Sequence, residues 1–471
     1  MRICLDHAYT AAEIARISGG YTQADARTVV DHLATDSREV EPGDLFVALP
    51  GERFNGNSFV KNACDNGAAL LLCEEMPADL SRGIQVKSCQ GALCALARQA
   101  RERICPTVIA ITGSAGKTTT KNMVGAVLQT TYRTHKTEGN HNNLLGVCLT
   151  LLSMPKDTEM LVVEMGMNHE KEIEALSLLA APDVAVITNV GHAHVGNLGS
   201  RERIAMAKRE ILAGCEHGAL YLFPANEPLL EKQVPEGIEK QRIGENGDCH
   251  FTNLSFGSNT TVADFVCHAS LYPAISLPGS GKHLALCAAY AITVGHIFGV
   301  PQQKIRHALA TVQNDKMRQE LIRKNGITVI VDCYNASPES MRVACDTLMV
   351  LAKEHGGRSL ALLGDMLELG EKTRLLHEEV GRYYAKSGLS LLFTFGAAAE
   401  SIAIGARHGG MQERCIFSNP NPTDPATSAD QIKGVLRTGD VLLIKASRAL
   451  AAERIAALLQ TENQEIEETQ A

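Results

Sequence analysis

None of the fourteen cysteines in this 471-residue chain stands in a C-x-x-C pair, and Cys73, Cys148, Cys267 and Cys345 sit inside apolar runs. Buried, reduced thiols are expected in place of a disulfide framework or a zinc module. No apolar run approaches the roughly 18 residues of a spanning helix, and Met1 to Tyr9 lacks the basic start and apolar stretch of a signal peptide. A cytoplasmic protein without membrane insertion is therefore expected. A broad basic field is missing as well. The net charge of -8 and isoelectric point near 6.1 argue against nucleic acid and anionic membranes as general partners. An anionic small substrate must instead be held by local charge. There is no repeat of fixed period, and only the acidic end, Thr461 to Ala471, is compositionally biased, with little to bury.

What is present is 45% hydrophobic and 21% charged residues, enough apolar material over this length for a multidomain globular protein. From Cys105 onward, short β-branched runs (Thr107 to Ile111, Met160 to Glu164, Val184 to Thr188, Ala219 to Phe223) alternate with helical patterns. Such alternation predicts a mainly parallel sheet covered by helices. After a helix-like stretch, His283 to Phe298, a second series begins: Ile327 to Cys333, Ser359 to Gly364, Leu391 to Phe395 and Val441 to Lys445. The first hundred residues offer Asp44 to Leu49 and Ala68 to Cys73 as strands, with turns at Glu41-Pro42-Gly43 and Leu49-Pro50-Gly51. The expected architecture is α/β in three domains, 1–105, 106–313 and 314–460, followed by the tail 461–471.

The strongest chemical feature is Gly113-Ser114-Ala115-Gly116-Lys117-Thr118-Thr119, set between a strand and an amphipathic helix carrying Met123, Val124, Val127 and Leu128. Glycines let backbone N–H groups turn inward around phosphate oxygens, and the helix N-terminus favours negative charge. Lys117 can reach the outer phosphates and the Thr118 hydroxyl can face Mg²⁺. The spacing departs from G-x-x-x-x-G-K-[ST], because Ile111 occupies the first position. The loop points to a nucleoside triphosphate and leaves the second substrate open.

Further blocks narrow the choice. Asp36-Ser37-Arg38 precedes Gly43-Asp44-Leu45-Phe46-Val47-Ala48-Leu49; the central part carries Thr137 to Gly146 (TEGNHNNLLG) and Glu164-Met165-Gly166; and the last third carries Asp332 to Met341 (DCYNASPESM), Leu363 to Glu371 (LGDMLELGE) and Lys445-Ala446-Ser447-Arg448. Together these resemble the Mur ligase family over nearly the whole chain, and the late blocks are similar to its branch that adds a dipeptide. The Asp-Asn-Pro-Arg motif of the diaminopimelate-adding ligases is absent. The resemblance implies a small uridine-side domain, a central phosphate-loop ATPase domain and a Rossmann-like C-terminal domain. It also implies ATP and Mg²⁺ as cofactors, UDP-N-acetylmuramoyl-tripeptide and D-alanyl-D-alanine as substrates, an acyl-phosphate intermediate, and action as a monomer.

Site residues follow in two ways. Glu164 closes an apolar strand, where α/β sites gather, and offers a hard oxygen to a metal. Lys208 shares a helical stripe with Ile204, Ile211 and Cys215, so its amine can be drawn from water, although a lysine snorkelling from an apolar stripe has the same pattern. The resemblance implies that Lys208 is carbamylated and holds Mg²⁺ with Thr118, Glu164 and His194, and that Arg318, in Lys316 to Glu320, reaches the γ-phosphate. It places Asp332 and Asn335 on the nucleotide, Ser37, Arg38 and Asn57 on the uridine side and Arg448 at the acceptor; the span Asn140 to Asn143 (Asn140 and Asn143 among the candidates) could position the peptide or the metal, although a polar turn explains it too. His192 is expected to be structural or solvent-facing, pointing away from His194 in an extended segment. The family commonly has asparagine one and four residues after the histidine matching His283, where this chain has Leu284 and Cys287. Two rival readings stay open at this point, a folylpolyglutamate synthetase and a phosphate-loop switch protein.

Overall fold

The structure is a computed structural model describing residues 1–51, 55–75, 81–257, 259–313 and 315–460. Its strands form three sheets drawn from successive parts of the chain. In the first, the strands run in the order Arg2–Thr10, Val29–Ala34, Leu45–Val47, Leu70–Cys73, Gly83–Gln85, Tyr21–Thr22. The inner pairings are parallel and both outer ones antiparallel. Ser88 then caps the helix Cys89–Ile104, its hydroxyl accepting from the Gly91 N–H. This helix leaves the first sheet and packs on the central helix Leu144–Leu152, where the Cys94 and Cys148 sulfurs lie 3.5 Å apart.

The central sheet has nine strands, ordered Ser270–Pro278, Thr260–Cys267, Cys249–Gly257, Glu239–Ile243, Leu220–Pro224, Val184–Ile187, Thr107–Thr112, Met160–Glu164, Thr134–Lys136. Thr107–Thr112 lies deep inside it, and its side chains alternate between two cores. Val108 and Ala110 join the core under Leu144–Leu152 and Glu172–Ala180, whereas Ile109 and Ile111 join Met123, Val124 and the helix Lys282–Ile297. Burial on both faces explains why the strand reads as one apolar run. The sheet is mainly parallel, as expected, with one antiparallel part at its edge. Cys249–Gly257, Thr260–Cys267 and Ser270–Pro278 form an antiparallel meander, because their connections are too short for the crossover that a parallel pair requires.

The third sheet is ordered Glu320–Lys324, Ile327–Asp332, Val441–Lys445, Ser359–Gly364, Leu391–Phe395, Ile416–Asn419, with only the first pair antiparallel. Its helix Pro338–His355 begins with a capping box between Ser337 and Ser340 and ends at Gly356 in the left-handed conformation. Among the described residues no helix is long and apolar enough to cross a membrane. The parallel strands of the second and third sheets turn their carboxyl ends toward one shared cleft.

Candidate active site

That cleft encloses a cavity of about 390 Å³. Its floor is the loop Gly113–Thr119. Gly113 sits at φ 153° and Gly116 at φ 77°, and a Cβ on Gly113 would fall 1.9 Å from the Thr188 hydroxyl, so only glycine fits. The loop is tied to the end of the neighbouring strand. The Thr188 hydroxyl donates to the Ala115 carbonyl (2.6 Å), the Ala115 N–H donates to Asn189 Oδ1 (2.8 Å), and the Gly191 N–H donates to Ser114 Oγ (2.8 Å). The helix Lys117–Gln129 starts directly after Gly116, so the N–H groups of Lys117, Thr118 and Thr119 have no intrahelical acceptor.

Beside this loop stands Glu164, 1% exposed at the end of its strand. Its Oε1 accepts from the Asn142 amide (2.9 Å), while Oε2 lies 3.6 Å from the Lys121 ammonium without a hydrogen bond of its own. Lys121 is equally buried and donates to the Gly139 carbonyl (2.8 Å). The Lys117 ammonium folds back on the Gly113 carbonyl (2.8 Å); desolvation pulls its pKa down, Glu164 opposes that and Arg318 adds to it. Lys208 is 1% exposed, and its pKa is driven well below the ordinary lysine value by desolvation first and by the charge of Lys117 second. It makes no ion pair among the described residues. The stripe seen in the sequence is real, although the α-helix ends at Arg209 and Ile211 sits in the 3-10 turn that follows.

The histidine segment departs from expectation. It is not extended, since His194 adopts φ 66° and caps the short helix Val195–Leu198. His194 borders the cavity with Nδ1 2.5 Å from Glu368 of the third domain. Nδ1 has no aligned hydrogen-bond partner there, and the closeness of the ring lowers the Glu368 pKa. His192 is partly exposed and structural, its Nδ1 2.6 Å from Glu339, also of the third domain.

The opposite wall belongs to the third domain. The Arg318 guanidinium lies 3.9 Å from the centre of the Tyr334 ring, between Met317 and Gln319, both at positive φ. Asp332 accepts from the Lys445 ammonium (2.7 Å), which also donates to the Asn335 carbonyl (3.0 Å). Leu284, Leu286 and Cys287 make an apolar side, with the Cys287 sulfur 3.9 Å from the Gly116 carbonyl. Of the residues singled out from the sequence, Lys117, Thr118, Glu164, His194, Arg318, Asp332, Asn335, Asn140 and Asn143 line this one cavity. Asn143 is engaged as a helix cap, its Oδ1 accepting from the Gly146 N–H. Asn142 lay within the span Asn140 to Asn143 read from the sequence; Lys121, Tyr334 and Lys445 were not singled out, and only Lys445, a charge ending an apolar strand, carried a readable signal.

The remaining candidates lie elsewhere. The Ser37 hydroxyl accepts from the Asn62 amide (3.2 Å), exposed Arg38 is held by Asp36 (2.9 Å), and the Asn57 N–H donates to Asn55 (3.0 Å), all in the first domain. Phe54, next to them, falls outside the described residues. Arg448 does not border the cavity; it pairs with Glu453 and touches the Met317 sulfur at 3.4 Å.

Comparison with known proteins agrees with this geometry. Residues 29–101 match the Mur ligase family catalytic domain, 111–295 the Mur ligase middle domain, and 317–448 the Mur ligase glutamate ligase domain. The UDP-N-acetylmuramoyl-tripeptide--D-alanyl-D-alanine ligase of Bacillus subtilis is 37% identical over 91% of this chain and 93% of its own length. The chain belongs to the Mur ligase family. Among solved structures, a MurF crystal structure from Acinetobacter baumannii matches this Mur ligase with a TM-score of 0.89 at 30% identity, covering 97% of this chain and 99% of that one. The MurF ligase from Thermotoga maritima, solved in complex with ADP, matches with a TM-score of 0.80 at 32% identity over 91% of this chain and 96% of that one.

Proposed function

We propose that this Mur ligase joins D-alanyl-D-alanine to UDP-N-acetylmuramoyl-tripeptide with ATP, in the cytoplasm, as a step of peptidoglycan synthesis. The observation that carries the reading is the pairing of Lys117 and Glu164 at the phosphate loop, faced across one cavity by Arg318 and Lys445, with desolvated Lys208 behind it and close enough to feel the charge of Lys117. The relatives' names supply the two substrates.

The tripeptide carboxylate attacks the γ-phosphorus of ATP, the bond to the bridging oxygen breaks, and ADP leaves. The dipeptide amine then attacks the acyl carbon, loses a proton and expels phosphate. Carboxylate and triphosphate repel each other, so the chain's work is to supply positive charge and N–H donors in a dry cleft. Lys117, at the head of its helix, would serve the outer phosphates, and Arg318, held over Tyr334, the γ-phosphate from the other wall. Asp332 and Asn335 would meet the nucleoside. Asn140, Asn143, Ser37, Arg38, Asn57 and Arg448 are assigned to the other substrates by family resemblance.

Mg²⁺ fits the donor set, because Glu164 Oε2 is enclosed and lacks a hydrogen-bond partner beside the buried Thr118. Thr118, Glu164, His194 and Lys208 would hold it, and when bound it supplies positive charge to the phosphoryl oxygens. For Lys208 the reading is a carbamate. A lysine pressed toward neutrality combines with CO₂ and releases a proton, and the resulting anion beside Lys117 replaces a like-charge conflict with an attraction.

Phosphate release from ATP that requires both the tripeptide nucleotide and the dipeptide supports this reading. Release driven by glutamate plus a folate, or by neither substrate, contradicts it.

A further inference from the structure

The Cys94 and Cys148 sulfurs, 3.5 Å apart, take no part in the chemistry above, and the two thiols differ in their access to water. Cys148 is 1% exposed, inside the apolar helix Leu144–Leu152. Cys94 is half-buried on the helix Cys89–Ile104. That helix turns Ala92, Leu93, Leu96, Ala97 and Ala100 into the core, and Cys94 shares its outer flank with exposed Arg98, four residues on. One thiol can thus meet a small solute while its partner is presented from the interior.

The electrostatics favour the same division. The hydrogen bond with Cys148 lowers the Cys94 pKa against desolvation, and Arg98 adds to the lowering. Cys148 is held as the thiol by that hydrogen bond first and by burial second. A reachable thiolate beside an enclosed thiol is the arrangement of an attacking and a resolving cysteine. Cys249 and Cys267 also face each other, as register partners on neighbouring strands, but both are 0% exposed and closed to a solute.

We propose that Cys94 and Cys148 form a modification site, a dithiol that hydrogen peroxide converts to a disulfide joining the last helix of the first domain to the central domain. The Cys94 thiolate attacks one peroxide oxygen, the O–O bond breaks, and the departing hydroxide takes back the proton that Cys94 lost, leaving a sulfenic acid and one water. Cys148 then attacks that sulfur, the S–O bond breaks, and the second hydroxide takes the Cys148 proton to give another water. The two sulfurs together lose two electrons, which the peroxide gains. The new bond, about 2.05 Å long, closes a loop spanning 54 positions that includes the phosphate loop. Closing so long a loop restricts the unfolded chain, so the oxidised protein is the more heat-stable form. Neither sulfur borders the cavity, and the site stands independently of the ligase reading.

The test treats the full chain with a slight excess of hydrogen peroxide, blocks the remaining thiols with N-ethylmaleimide and maps the peptides by mass spectrometry. A Cys94–Cys148 link, lighter by two hydrogens and reversed by dithiothreitol, should form before any link between Cys249 and Cys267. It should also raise the thermal midpoint by several degrees. In Cys148→Ala, dimedone should trap a sulfenic acid on Cys94, whereas Cys94→Ser should give neither the adduct nor the link. The wild-type map decides the matter where a variant fails to fold. Cys94 and Cys148 both recovered as maleimide adducts, a Cys249–Cys267 link forming first, an unchanged midpoint in the cross-linked chain, or no dimedone adduct in folded Cys148→Ala overturns the site.

Discussion

Lys117 carries the heaviest electrostatic demand in the cavity, since its ammonium is partly desolvated before any phosphate arrives. Lys117→Ala is expected to keep a native circular-dichroism spectrum and to lose on the order of 100-fold or more in kcat. Near-normal ligation would remove the loop from the chemistry. Lys208→Ala should be inactive and partly restored by a small added carboxylate, because the proposed function belongs to a carbamate; failure of rescue, with no CO₂ adduct on Lys208 in crystals grown with bicarbonate, would withdraw that assignment. At the apolar wall, an asparagine amide could donate to and accept from a purine edge where the thiol does so weakly. Cys287→Asn should therefore lower the ATP KM several-fold, as one hydrogen bond of about 0.5–1.5 kcal/mol allows. No change in KM or in ATP-over-GTP preference would place base recognition elsewhere. Glu164 and Lys208 were readable in the sequence because each sets a charge within an apolar pattern. The pairing of Asn142 with Glu164 was not readable, since the two lie 22 residues apart. The segment around His192 is not extended, because the left-handed turn at His194 breaks the alternation.

At the scale of elements, the strands readable without ambiguity were those buried on both faces. Met160–Glu164, Ser359–Gly364, Leu391–Phe395 and Val441–Lys445 coincide with their apolar runs to the residue. The antiparallel meander was missed because its strands are only half buried. Thr260–Cys267 alternates intermediate and buried positions, a weaker signal than a continuous apolar run. A local pH dependence belongs to the segment Asp365–Gly370. The Met366 N–H donates to His377 Nε2 (2.9 Å), and His377 Nδ1 lies 2.7 Å from the Thr373 carbonyl, which fixes the neutral tautomer. Desolvation lowers the pKa of this buried histidine, Thr373 and Asp365 opposing it. A depressed histidine pKa gives stability that is full above the unfolded value, about 6.5, and is lost as pH falls below it, by at most about 1.4 kcal/mol per pH unit. The urea midpoint of the third domain should therefore drop between neutral pH and pH 5, with a shallower drop in His377→Gln; equal slopes would show that His377 is not responsible.

At the scale of the whole molecule, the proposed catalysis depends on two sheets whose carboxyl ends meet across one cavity, one bringing the phosphate loop and Glu164, the other Arg318, Asp332 and Lys445. The three-domain α/β architecture was visible from the two series of alternating strands and helices, but the facing of the two sheets was not, since it rests on contacts such as His192 with Glu339 and His194 with Glu368 that join distant parts of the chain. The central claim is that this assembly forms one peptide bond for each ATP cleaved. Its most direct test is mass spectrometry of the product made by the purified chain from UDP-N-acetylmuramoyl-tripeptide, D-alanyl-D-alanine and ATP. The account predicts a nucleotide heavier by one dipeptide less one water, formed in equal amount with ADP and phosphate. An unchanged tripeptide nucleotide, with ATP either intact or hydrolysed, would contradict it.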